Sequence, residues 1–148
     1  MIKKIRKPPE TKVTPFTIVE VSRIVGITRR RLDYWDKTGL ISPSIISKNT
    51  GRQYSVQDII AIGIILRLLK SSLSLQRIRA GFRFIKERAE QLATSVILTD
   101  GKTIYLYQDD KLLVDTLKKG QAVSSFAVQD LITRVQEKVN ELDTEKTE

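Results

Sequence analysis

One segment between Ser55 and Ser72 tolerates only one kind of environment. Ile59, Ile60, Ile62, Ile64, Ile65, Leu66, Leu68 and Leu69 make it apolar on most sides. Its β-branched content would suit a buried strand. Its length, its lack of alternation and a Ser55 cap completed by Asp58 three residues on favour a helix. A helix without a polar face belongs at the centre of a fold, covered by other elements. The run Ile59 to Leu69 is 11 residues long and contains Gly63 and Arg67, whereas a membrane span needs roughly 17–25 residues. The segment is expected to be the core of a soluble domain.

Upstream, Thr17 is placed to cap a helix, with Glu20 reciprocating and Phe16 packing back onto Val21. Ile18, Val21, Ile24 and Val25 form its apolar face, and Gly26 ends it. Thr28 caps a second helix whose first turn is Arg29-Arg30-Arg31, whose buried side is Leu32 and Trp35, and which stops at Gly39. Two short helices joined at Gly26-Ile27 have the form of a helix-turn-helix, whose second helix enters the major groove. Lys48-Asn49-Thr50-Gly51-Arg52 has the composition of a hairpin tip, flanked by 44–47 and 52–54.

Downstream, Ser74 caps a helix with apolar positions at 75, 78, 82, 85, 89 and 92, interrupted by Gly81. From residue 95 the period switches to two: Val96, Leu98, Ile104 and Leu106 flank Asp100-Gly101, a two-residue hairpin signal. A short helix over 110–119, an extended piece over 122–127 and a helix over 128–142 complete the pattern. The last helix carries a stripe of Val128, Leu131, Ile132, Val135, Val139 and Leu142. About 50 residues make too small a core, so this part leans on the first domain or on a second copy of itself.

Charge is divided unevenly. Residues 1–94 hold 19 basic and 7 acidic side chains, a balance of +12, while 95–148 hold 7 and 10, a balance of −3. A basic module joined to a slightly acidic one points to an anionic partner, above all nucleic acid. The chain has no Cys and no His, which excludes disulfides, thiolate ligation and histidine-based zinc or acid/base chemistry. There is no Gly-rich phosphate loop and no convincing acid/base pair, so no enzyme and no cofactor is expected. Behind the basic start come Pro8, Pro9 and polar residues without an apolar signal segment, so a cytoplasmic protein is expected.

The first domain resembles a known family. Phe16-Thr17-Ile18-Val19-Glu20-Val21, Gly26-Ile27-Thr28, Leu32-Asp33-Tyr34-Trp35-Asp36-Lys37-Thr38-Gly39-Leu40-Ile41, Gly51-Arg52-Gln53-Tyr54-Ser55 with Asp58, and Leu73-Ser74-Leu75 are similar to the DNA-binding domain of MerR-family transcriptional regulators. The resemblance spans residues 16 to about 88. It implies a winged helix-turn-helix that binds partly palindromic promoter DNA as a dimer. Thr28 to Arg31 would face the major groove, Tyr34 the backbone, and Lys48 to Arg52 would form the wing. With Thr17 and Lys37 added, the expected DNA-binding set is Thr17, Thr28, Arg29, Arg30, Arg31, Tyr34, Lys37, Lys48, Asn49 and Arg52. Asp33 stands where many members carry a backbone-holding arginine, leaving that contact to Arg30 or Arg31. Asp100 to Tyr105, followed by Gly120-Gln121, resembles the small C-terminal domain of a two-domain subgroup.

The expected fold is therefore mainly α with small β elements. A flexible basic arm (1–15) precedes a winged helix-turn-helix domain (16–94). A small α+β dimerisation or effector domain that begins with a β-hairpin (95–142) and a polar tail (143–148) follow. Double-stranded DNA and a second copy of the chain are the expected partners, with RNA polymerase and an unidentified small-molecule effector as further candidates and no membrane. Val128, Ile132, Val135 and Val139 are the candidate dimer interface; the alternative packs the same stripe onto the 75–92 helix within one chain. An architectural or excisionase-like DNA-binding role is the alternative function. Trp35 and Tyr54 are expected in the core, Arg77, Arg79, Arg83, Lys86 and Arg88 on a solvated face. Asp100, Asp109, Asp110 and Asp115 are read as turn and helix-start acids, and Tyr105 and Tyr107 as core or interface.

Overall fold

A computed structural model of the chain describes residues 15–49, 51–87, 94–101, 104–107 and 124–147. The basic arm up to residue 14, the 110–119 helix, the end of the 75–92 helix, Asp109, Asp110, Asp115 and Gln121 lie outside the described residues.

Helix α1 (Ile18–Val25) begins with the expected capping box: Thr17 Oγ1 accepts from the Glu20 amide at 3.2 Å and Glu20 Oε1 from the Thr17 amide at 3.1 Å. Gly26 turns the chain left-handed at φ 74°, a conformation with little cost for glycine. The Ser22 hydroxyl donates to the Ile27 carbonyl and ties the turn back onto α1. Helix α2 (Arg29–Lys37) follows, capped by Thr28, whose hydroxyl accepts from the Arg31 amide at 3.1 Å.

Strands β1 (Ile45–Ser47) and β2 (Gly51–Gln53) form the wing, with Ser47 opposite Gly51. Directly after it, Tyr54 and Phe16 exchange two backbone hydrogen bonds at 2.8 Å, which close the hairpin's base onto the segment leading into α1. Helix α3 (Val56–Lys70) has the Ser55–Asp58 capping box and buries Ile59, Ile62, Gly63, Ile64, Ile65 and Leu68. It packs against α1 and against α4 (Leu75–Glu87), as an all-apolar helix must.

Strands β3 (Val96–Thr99), β4 (Ile104–Tyr107) and β5 (Ser124–Ala127) form an antiparallel sheet with β3 in the middle. The two-residue turn expected at Asp100-Gly101 is not formed. Thr99 pairs with Ile104, so the connection spans 100–103. Thr99 Oγ1 accepts from the Gly101 amide at 3.0 Å, a local turn that competes with strand pairing.

The last helix, α5 (Val128–Thr147), continues past the expected end at 142. Its apolar stripe faces the interior of its own chain. Val128, Val135 and Val139 are at most 5% exposed, and Ile132 is partly buried against the same cluster. The four candidate interface residues are thus taken up within their own chain. Among the described residues, α5 packs chiefly against α3 and α1. The fit is made at two helix-interior glycines. A Cβ on Gly63 of α3 would lie 3.0 Å from Leu131 of α5, and one on Gly81 of α4 would lie 3.0 Å from Ile104 of β4. Each glycine is a notch filled by a side chain from the C-terminal part.

Candidate nucleic-acid interface

Helix α2 sets the character of this surface. Its apolar side, Leu32 and Trp35, is buried to within 1%, which fixes the opposite side outward. Arg29, Arg30 and Arg31 are all exposed, and the first turn contains no acid. Three cations at the positive end of a helix dipole are unfavourable for the isolated fold. Arg31 is steadied by stacking over the Trp35 ring at 5.1 Å. Arg29, Arg30 and Lys48 form no side-chain hydrogen bond or ion pair among the described residues. Tyr34 is 56% exposed, so its phenol is on the surface and not part of the core.

The wing is clamped to α2 by one ion pair. Arg52 Nη1 and Nη2 donate to the two carboxylate oxygens of Asp36 at 3.2 and 3.1 Å. This two-pronged geometry is the strong form of the arginine–carboxylate pair, and the Arg52 side chain remains 54% exposed. Arg52 and α2 are therefore brought together, with donors left over for an anion. Lys37 is paired with Asp33 one turn earlier at 3.2 Å on the exposed surface. Asp33, read as a departure from the family pattern, thus neutralises its neighbour. Lys48 and Asn49 are exposed in the turn of the wing. Thr17 is exposed, and its hydroxyl is engaged in capping α1.

Two supports of this surface, and one exposed apolar side chain on it, were not visible in the sequence. Asp58 Oδ2 closes its capping box and also accepts from the Ser44 amide at 2.9 Å and the Ser44 hydroxyl at 2.7 Å, fixing the segment that enters the wing. Arg79 of α4, expected on a solvated face, donates to the carbonyl and hydroxyl of Thr38 at the end of α2. Ile46 of the wing is 84% exposed. Tyr54, by contrast, is core as expected. Burial first, then the charges of Asp36, Asp58 and Asp33, push its phenol up to about 12.

A two-helix unit with a basic exposed second helix and a β-hairpin clamped beside it is a winged helix-turn-helix, the architecture of a DNA-binding domain. Residues 16–83 match the model of the MerR HTH family regulatory protein, so this part of the chain is a MerR-family helix-turn-helix domain. Over 110 residues the chain is 40% identical to HTH-type transcriptional regulators, uncharacterized, from Mycobacterium bovis and Mycobacterium tuberculosis. The match takes in 72% of this chain and 49% of those proteins, so the chain spans about half the length of these relatives. Among the described residues no helix is long and apolar enough to cross a membrane.

Proposed function

We propose that this chain acts as a transcriptional regulator that binds double-stranded DNA sequence-specifically, as a homodimer on a partly palindromic promoter site. One observation carries the reading: three exposed arginines open α2 where the helix dipole disfavours them and no acid offsets them. A phosphate backbone or a guanine edge relieves that conflict. In this reading Arg30 and Arg31 reach base edges, while Arg29, Tyr34, Lys48, Asn49 and Arg52 hold the backbone. Thr28 orients the helix start, and Thr17 and Lys37 flank the contact. RNA polymerase at the promoter is the partner through which such a protein would act.

The proposed dimer needs a contact other than the buried stripe of α5. An isolated winged domain reads one half-site, and two half-sites must lie about one helical turn or a multiple apart. Sedimentation tests the dimer; a protein that stays monomeric at high concentration, with and without DNA, contradicts it. The architectural alternative is favoured by Ile46, an exposed apolar side chain on the wing, since minor-groove architectural proteins wedge such residues between base steps. Alanine at Arg30 and Arg31 separates the two. A regulator loses about 1–3 kcal/mol of discrimination per good bidentate base contact; an architectural protein loses specific and non-specific binding in parallel.

A further inference from the structure

Away from the wing, a cleft of about 370 Å³ opens where the end of α3 meets the sheet and the start of α5. Its walls come from both parts of the chain: Arg67 from α3, Val96 from β3, Phe126 from β5, and Asp130, Leu131 and Arg134 from α5. The volume lies toward the small end of the range for ligand pockets, and polar and apolar side chains share the wall about equally.

The two arginines are the informative part. Arg67 lies with its guanidinium carbon 5.2 Å from the Phe126 ring centroid. Stacking in this way satisfies a face of the guanidinium and leaves its edge N–H donors for a planar anion. Arg67 makes no ion pair among the described residues. Arg134 sits one turn after Asp130 on α5, a spacing at which acid and base readily pair. Neither has an ion-pair partner among the described residues. The fold thus brings two cations from distant elements to the rim of one cleft, and among the described residues neither is compensated through a direct ion pair.

We propose that this cleft binds a small organic carboxylate, its anionic end on Arg67 and Arg134 and its apolar body against Phe126, Leu131 and Val96. Asp130 reduces the local balance to one positive charge, which suits a monocarboxylate and disfavours a polyphosphate. Bidentate guanidinium–carboxylate pairing supplies the orientation. The site does not depend on the DNA-binding reading, since occupancy is measured with no DNA present.

The test is a titration of the full-length ¹⁵N-labelled protein with benzoate and with hexanoate, using benzamide and benzylamine as neutral and cationic controls. The expected result is saturable shifts confined to amides of the cleft, including Ala127 and Leu131, with no saturable response to either control. Arg134→Ala removes an exposed side chain and should weaken carboxylate binding at least about tenfold, with the rest of the spectrum unchanged. Arg67→Gln gives an independent second variant with the same expected direction. No saturable shift with either carboxylate up to its solubility limit overturns the proposal. So does benzamide binding as tightly as benzoate, or full retention of binding in Arg134→Ala.

Discussion

Adding one methyl group at each helix-interior glycine gives a graded test of how the C-terminal part is seated. Gly→Ala in a helix gains about 1 kcal/mol of intrinsic propensity. At Gly81 the new Cβ meets Cδ1 of Ile104 at 3.0 Å and Cγ1 only at 3.8 Å. The near atom is the free end of a flexible side chain, which rotates away cheaply. At Gly63 the new Cβ meets Leu131 Cδ1, Cδ2 and Cγ at 3.0, 3.1 and 3.3 Å. All three outer atoms of that side chain meet it, so Leu131 has to give by a few tenths of an ångström with less room to rotate aside, and overpacking of this kind costs about 1–3 kcal/mol. Gly81→Ala should therefore be neutral to about 1 kcal/mol stabilising, and Gly63→Ala neutral to about 2 kcal/mol destabilising. The midpoint of thermal unfolding should separate the two variants by several degrees, at about 2–4 °C per kcal/mol for a chain near this size. Leu131→Ala added to Gly63→Ala should recover part of the loss, because the two sites touch and are not additive. If Gly63→Ala stabilises as much as Gly81→Ala, and Leu131→Ala is additive with it, α5 does not seat on α3 and the packing described above is wrong.

Further outcomes follow from the same contacts. Val135→Asp with Val139→Asp places two carboxylates at positions 5% exposed and should abolish cooperative unfolding of the chain by circular dichroism. A folded, cooperative monomer would return these residues to the role of an interface. Arg52→Ala should weaken binding to all duplexes alike and reduce the slope of log K against log salt by about 1; an unchanged slope would limit Arg52 to its clamp on Asp36. In a spectrophotometric titration, Tyr54, pushed up to about 12, should contribute a late phenolate step, and Tyr54→Phe should remove it. Its folded pKa lies above the ordinary value near 10, so this contribution to stability is present below pH about 10 and is lost as pH rises toward about 12. Stoichiometric zinc or copper should leave DNA binding unchanged, since the chain offers neither Cys nor His.

What the sequence disclosed was local. The boxes Thr17–Glu20 and Ser55–Asp58 and the stop at Gly26 are each set within a few residues, and the apolar faces of α1, α2 and α3 follow from spacing. The exposed arginines of α2 were legible for the same reason, because Leu32 and Trp35 fix which side is buried. Contacts between distant segments were not legible. Asp36 looks like one more helix acid until the wing brings Arg52 to it, 16 residues on. Arg79 looks solvated until α4 lies against Thr38, 41 residues earlier. The stripe on α5 was plain, but periodicity states that a face is apolar, not what covers it. Gly63 and Gly81 held that answer, and in sequence they read only as interruptions.

Helix α2 is proposed to read sequence and to do more than hold a phosphate backbone. Selection from a random duplex library, followed by titration of the enriched site and a scrambled duplex at one fixed salt concentration, measures this directly. Specific binding at least about 10³-fold tighter than binding to the scrambled duplex, with two half-sites about one turn or a multiple apart, is the predicted result. An affinity ratio near one, with no enriched sequence, would contradict it.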